Sequence, residues 1–169
     1  SQAESFGLIR SNLLSSPATG KEPHVIMVAS AMPKEGKTVV SANLGIAFAH
    51  SGARTLLIDT DLRRGRMHRL FGYRKSPGLS DVLLTGVSLE QACRATSHEN
   101  LTILSTGNHQ NAGAELLASE KFASLMATLR ERYERIIVDT PPVLGLSEAC
   151  ILQKHVDGAG SHSSPVRSS

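Results

Sequence analysis

The sequence predicts an α/β fold, a mostly parallel sheet flanked by helices. Three observations carry that expectation. Short apolar runs at 25–29, 55–58, 101–104 and 135–138 read as buried strands, and stretches of helical spacing separate them. The first run leads through a turn with Pro33 and Gly36 into Lys37-Thr38, which opens a helix. The second and fourth runs each deliver an aspartate, Asp59 and Asp139, where open parallel sheets bind ligands.

Taken in order, residues 3–14 place Phe6, Ile9 and Leu13 at helical spacing, although Gly7 weakens that helix by about 1 kcal/mol relative to Ala. Residues 15–23, with Pro17, Gly20 and Pro23, form a polar connector. After the strand at 25–29, a helix over 37–51 is rich in Ala and Gly on one face. That suits close packing on a sheet, and Gly52 is a C-cap. The strand at 55–58 runs into Asp59-Thr60-Asp61. In an extended segment these two carboxylates point the same way. Their alternative role is to cap the segment that follows.

Arg63, Arg64, Arg66 and Arg69 come next, as a solvated basic turn or as a contact for an anion or acidic peptide. Residues 77–84 read as a turn and a helix capped by Ser80, and 88–95 as another short helix. A Gly/Asn loop at 106–113 follows the third strand. One or two amphipathic helices over 114–132 then turn Leu116, Leu117, Phe122, Leu125, Met126 and Leu129 inward. The strand at 135–138 ends in Asp139, and 146–155 reads as a helix. Residues 159–169 lack an apolar run and contain Pro165. They read as a disordered or non-native tail.

Bulk composition sets limits on function. A chain of 169 residues fits one domain with a real core. A net charge of +3, 4% aromatics and no Trp argue against a nucleic-acid partner. No apolar run reaches the ~18 residues of a membrane helix. Cys93 and Cys150 lie far apart in apolar, helix-like surroundings and read as buried free thiols. The missing initiator Met suits a piece cut from a longer protein.

Strand, loop and helix start at 25–40 are the parts of a triphosphate site. Loop N–H groups and the helix dipole favour anions there. Pro33, Lys34, Glu35, Gly36, Lys37, Thr38 and Val39 are the candidate nucleotide contacts. Lys37 reaches the β- and γ-phosphates, and the Thr38 hydroxyl holds Mg²⁺. Ala31 stands where the general pattern has Gly. Asp139 at the end of its strand completes a P-loop NTPase pattern, accepting from Thr38 or from a Mg²⁺-bound water.

Over about residues 4–158 the chain resembles the bacterial tyrosine kinases of capsule and exopolysaccharide synthesis, relatives of the MinD/ParA ATPases. S-A-M-P-K-E-G-K-T resembles that family's Walker A loop, L-L-I-D-T-D-L-R-R its Walker A′ motif and I-I-V-D-T-P-P-V-L its Walker B. G-L-S-D-V-L and A-E-L-L-A-S match further landmarks. Met32, where MinD/ParA proteins usually carry a lysine, favours the kinase branch.

The resemblance implies an ATP-dependent protein-tyrosine kinase domain over 1–158, acting as an autokinase with ATP/ADP and Mg²⁺. It implies that Lys37, Asp59 and Asp61 are catalytic, with Asp59 as base or orienter for the tyrosine hydroxyl. Thr38, Asp61 and Asp139 organise the metal. The implied partners are a tyrosine-rich tail, neighbouring subunits of a ring and a membrane-anchored chain-length regulator. The implied place is the cytoplasmic face of the bacterial inner membrane, as part of a longer protein, with this fragment itself soluble.

Three departures qualify these expectations. Tyr73 and Tyr133 are the only tyrosines. Gly7 replaces the middle Arg of an E-x-x-R-x-x-R helix, which weakens ring assembly. The strand expected after Gly158 is missing, as in a domain truncated at its C-terminal end. Two competing functions follow: a MinD/ParA-like ATPase switch, and a catalytically impaired nucleotide-binding or assembly module.

Overall fold

The structure, a computed structural model, describes residues 24–28, 34–140 and 154–156. Five strands form one sheet: β1 (Val25–Val28), β2 (Thr55–Asp59), β3 (Cys93–Ala95), β4 (Leu101–Leu104) and β5 (Arg135–Asp139). Their order is β1-β5-β2-β4-β3. The first four in that order run parallel, and only β3 is antiparallel, along β4. The expected mostly parallel α/β sheet is therefore present.

Side chains alternate across the sheet. Val25, Met27, Leu56, Ile58, Ile136 and Val138 face one side. Ile26, Val28, Leu57 and Ile137 face the other. Both faces are covered, which is why these strands read as unbroken apolar runs. The helix α1 (Lys34–His50) covers the second face through Leu44 and Phe48. A Cβ on Gly45 would sit 2.9 Å from Leu57 Cδ2, so the small face of α1 brings its backbone close to the sheet. The short helix α2 (Met67–Leu70) adds Met67 to this side.

The first face is covered by α3 (Leu79–Thr85), α5 (Gly113–Leu117) and α6 (Glu120–Arg132). All six apolar residues expected to point inward from 114–132 are buried there. Their burial contributes roughly 1.5–3 kcal/mol for each large side chain. The Ser119 hydroxyl accepts the Phe122 N–H at 3.2 Å and separates α5 from α6.

Several boundaries differ from the sequence reading. α1 starts at Lys34, not 37, so the segment from Lys34 onward is already helical. Residues 88–95 are not one helix but α4 (Leu89–Ala92) followed by β3. Pairing with β4 outweighs the local signal. Cys93 is accordingly half-buried on a strand, where burial pushes its thiol up to about 11.

Ser80 is not the cap of α3. Gly78 occupies that position, and Asp81 Oδ2 accepts its N–H at 2.8 Å. Ser80 instead donates to the Thr106 carbonyl at 2.7 Å. Gly78 has to be glycine, because a Cβ there would lie 2.4 Å from Gly107 N. Lys154 and His155, the end of the predicted last helix, lie in a turn. The other expectations concern residues outside those described: the helix at 3–14 with Gly7, the connector, Ala31, Met32, Pro33, the rest of the helix at 146–155, Cys150 and the tail. No helix among the described residues is long and apolar enough to cross a membrane.

Candidate functional site

Strands β1, β5 and β2 are neighbours, so their carboxyl ends meet at one rim. β5 brings Asp139 and β2 brings Asp59, paired in register. Thr60 clamps the two ends together, its N–H and its hydroxyl both donating to the Asp139 carbonyl at 2.9 Å. The Thr140 hydroxyl donates to the Val28 carbonyl at 2.8 Å and fixes β1 on the other side.

α1 supplies three donors to this rim. Lys37 Nζ donates to Asp139 Oδ1. Thr38 Oγ1 donates to Oδ2 at 3.1 Å, and Ser41 Oγ to Oδ1 at 3.0 Å. All four residues are buried, Lys37 at 1% and Asp139 at 2% exposure. A buried carboxylate tolerates that environment only with such partners. Ser41 was not among the predicted residues. Its signal was helical spacing, since it lies four residues after Lys37 on the same face of α1.

Asp59 is in a different position. It is 1% exposed and accepts two backbone N–H groups, from Asp61 at 3.1 Å and Met67 at 3.3 Å. No cation pairs with it among the described residues. Burial, and then the charge of Asp139, push its carboxyl up to about 8, against the lowering effect of those N–H groups. Gly65 closes over it, since a Cβ at that position would fall 2.2 Å from Asp59 Oδ2.

Asp61 lies just beyond the end of the strand. Strand pairing stops at Asp59, so the alternation that was to aim both carboxylates one way does not reach Asp61. Asp61 accepts the Arg64 N–H at 3.1 Å and shapes the turn at 61–65.

The predicted residues thus divide. Lys37, Thr38, Asp59 and Asp139 come together. Gly36 and Val39 sit in the first turns of α1 beside them, with the backbones of Lys34 and Glu35. Asp61 is buried beside Asp59, to which its N–H donates. Tyr133 packs against the core, whereas Tyr73 is exposed and donates its hydroxyl to the Ala95 carbonyl.

A hard divalent cation suits the donor set. Thr38 and Asp139 offer oxygen ligands, and the Asp59–Asp139 repulsion is what a cation relieves. No group of three or more His, Cys, Asp or Glu side chains among the described residues forms an all-protein metal cage. That pattern fits Mg²⁺, which takes one or two protein ligands and completes its shell with phosphate and water.

A family profile described as an AAA domain matches residues 24–155. The tyrosine-protein kinase YwqD of Bacillus subtilis (strain 168) is 36% identical over 157 residues, covering 93% of this chain and 66% of the relative. The tyrosine-protein kinase ptk of Acinetobacter johnsonii is 36% identical over 132 residues, covering 78% of this chain and 18% of the relative. The chain therefore spans under two thirds of the length of each of these relatives. Among solved structures, the kinase domain of VpsO is 36% identical with a TM-score of 0.79, covering 92% of this chain and 77% of that one. The septum site-determining protein MinD of Pyrococcus horikoshii OT3, complexed with Mg-ADP, is 27% identical with a TM-score of 0.64, covering 79% of this chain and 55% of that one.

Proposed function

The chain belongs to the AAA-domain family and, within it, to the bacterial tyrosine-protein kinases, and from that premise we propose that its rim site transfers the γ-phosphoryl group of ATP to a tyrosine hydroxyl. The observation that carries the reading is the convergence of Lys37, Thr38 and Ser41 on Asp139, with Asp59 paired beside it. Phosphoryl transfer needs charge neutralisation and positioning more than covalent chemistry, and this rim is built of fixed charges.

Thr38 and Asp139 would hold Mg²⁺, which neutralises phosphate charge when bound. Lys37 would share its ammonium between Asp139 and the β- and γ-phosphates. Ser41 and Thr38 keep the Asp139 carboxylate oriented while that happens. Asp59, held protonated by burial and by Asp139, would release its proton when Mg²⁺ neutralises that repulsion, and its carboxylate would then accept the phenol proton as the phosphoryl group moves from the ADP oxygen to the tyrosine oxygen. Asp61 would act through the turn it shapes and through metal-bound water.

Pro33, Lys34, Glu35, Gly36 and Val39 complete the nucleotide contacts in this reading. In this reading the catalytic domain is residues 1–158, and 159–169 are not part of it. The acceptor is a tyrosine-rich segment or a neighbouring subunit of a longer assembly. That assembly sits at the cytoplasmic face of a bacterial inner membrane and controls polysaccharide export. The test is phosphotyrosine formation on an added acceptor protein with ATP and Mg²⁺. Lys37→Met should lower it by about 10²–10³-fold, and transfer at the wild-type rate in that variant would remove the assignment.

The similarity to Mg-ADP-bound MinD favours a second reading, an ATPase switch without tyrosine transfer. Steady release of free phosphate with no phosphotyrosine on the acceptor would select it.

A further inference from the structure

The loop that closes over Asp59 has a second surface. From Leu62 to Lys75 it walls a cleft of about 640 Å³, within the size range of ligand sites. Arg63, Arg64, Arg66, Arg69 and Lys75 line the cleft, and no carboxylate does. Among the described residues, none of these five cations is in an ion pair, although Arg54, Arg132 and Lys37 elsewhere in the chain are. His68 lines the same cleft, and its Nδ1 is buried without a hydrogen-bond partner among the described residues. Burial, and then the charges of Arg69, Lys75, Arg66 and Arg94, hold that imidazole below its ordinary pKa.

The cleft is joined to Asp59 through its own backbone. Met67 N–H donates to Asp59 Oδ2, and Gly65 lies against that carboxylate while also lining the cleft. None of the cleft cations comes from α1, which carries the phosphate-loop lysine. All four arginines are exposed. Hydrated guanidinium forks on a turn suit several carboxylates on an extended chain better than one buried anion.

Building on the kinase reading, we propose that this cleft binds acidic residues flanking the acceptor tyrosine, so that the chain selects acidic acceptor segments and presents their hydroxyl to Asp59. The cations would act on acceptor affinity, while turnover stays with the rim.

The experiment uses the 169-residue chain and three labelled peptides of equal length, with Phe in place of the acceptor Tyr and with acidic, neutral or basic flanks. Fluorescence anisotropy should give about tenfold tighter binding of the acidic peptide in 50 mM salt. The preference should fade toward 1 M salt, where screening acts within about 3 Å. Arg66→Gln and Arg69→Gln should each weaken the acidic peptide about two- to fivefold, the range for exposed charge pairs. In a parallel phosphotransfer assay with Tyr restored, the same variants should raise KM for the acidic acceptor and leave kcat unchanged.

Equal affinity for all three peptides would overturn the proposal. So would a preference that survives in the combined Arg63→Gln, Arg66→Gln, Arg69→Gln variant. Displacement of the peptide by Mg-ADP would assign the cleft to nucleotide instead. Arginine-dependent capture on phosphatidylglycerol vesicles without any peptide preference would assign it to lipid. Loss of transfer to every acceptor, with the binding preference intact, would overturn the kinase reading and leave the cleft as an acidic-peptide site.

Discussion

The rim and the cleft share the loop at 59–67 and treat charge in opposite ways. At the rim, charge is buried and answered from within the chain, with Lys37, Thr38 and Ser41 all serving Asp139. In the cleft, four exposed arginines and a half-buried Lys75 have no ion-pair partner among the described residues. The difference separates two tasks. Fixed, desolvated charges position a reaction, because they need no reorganisation as charge develops. Exposed, unanswered charges recruit an outside anion, and their strength depends on salt.

The largest expected effect breaks the rim by removing the cation that Asp139 pairs with among the described residues. Lys37→Met should lower phosphotransfer by about 10²–10³-fold, comparable to deleting an electrostatic stabiliser. It should also destabilise the fold by about 3–5 kcal/mol, because Asp139 is left buried without a countercharge. Adding Asp139→Asn to that variant should recover most of the stability and none of the activity. Urea unfolding of the single and double variants measures this. No recovery would mean that the pair is not electrostatically coupled.

The next effect concerns Asp59, the rim group without a cation among the described residues. Between the ordinary carboxylate pKa and about 8 the folded chain holds a proton there that the unfolded chain has released. Stability from this group is therefore greatest at acid pH and falls as pH rises across that window. Asp59→Asn should flatten this part of the Tm–pH curve, by about 2–4 °C for each kcal/mol involved. Mg²⁺ with ADP should flatten it in the wild-type chain as well. A wild-type Tm that rises from pH 5 to pH 8 in step with the variant would show that Asp59 is not held protonated.

A smaller change sharpens the role of the residue that sequence reasoning missed. Ser41→Ala removes one of the three side-chain donors to Asp139 among the described residues and should cost about 1 kcal/mol, with a several-fold loss in kcat. An unchanged kcat would confine Ser41 to packing. The smallest effect belongs to the cleft. Arg66→Gln and Arg69→Gln should each change unfolding free energy by less than about 0.5 kcal/mol, since no internal partner is lost. A loss of several kcal/mol in either variant would show that the cleft cations are structural, and the contrast between the two regions would fail.

Local patterns made much of the molecule legible. The four parallel strands fell where apolar runs predicted them, because strands covered on both faces need no polar alternation. The inward face of 114–132 followed from helical spacing. β3 was not legible, because three residues become a strand only by pairing with β4. The cap at Gly78 was hidden for a similar reason. It depends on a close approach to Gly107, a residue far along the chain. Ser41 carried a spacing signal but no visible partner until Asp139 stood next to α1.

The sequence by itself determined the four parallel strands, the helix that follows the first of them and the residues that stand at their ends, because each follows from neighbours a few positions away. Only the tertiary structure decided that β5 lies between β1 and β2. That order places Asp139 within reach of Lys37, about a hundred residues away, and in register with Asp59. It also decided that Asp61 shapes a turn while Asp59 stays buried under Gly65. The physical reason is that burial and charge pairing depend on distance in space, and local periodicity carries no information about which distant segment will fill that space.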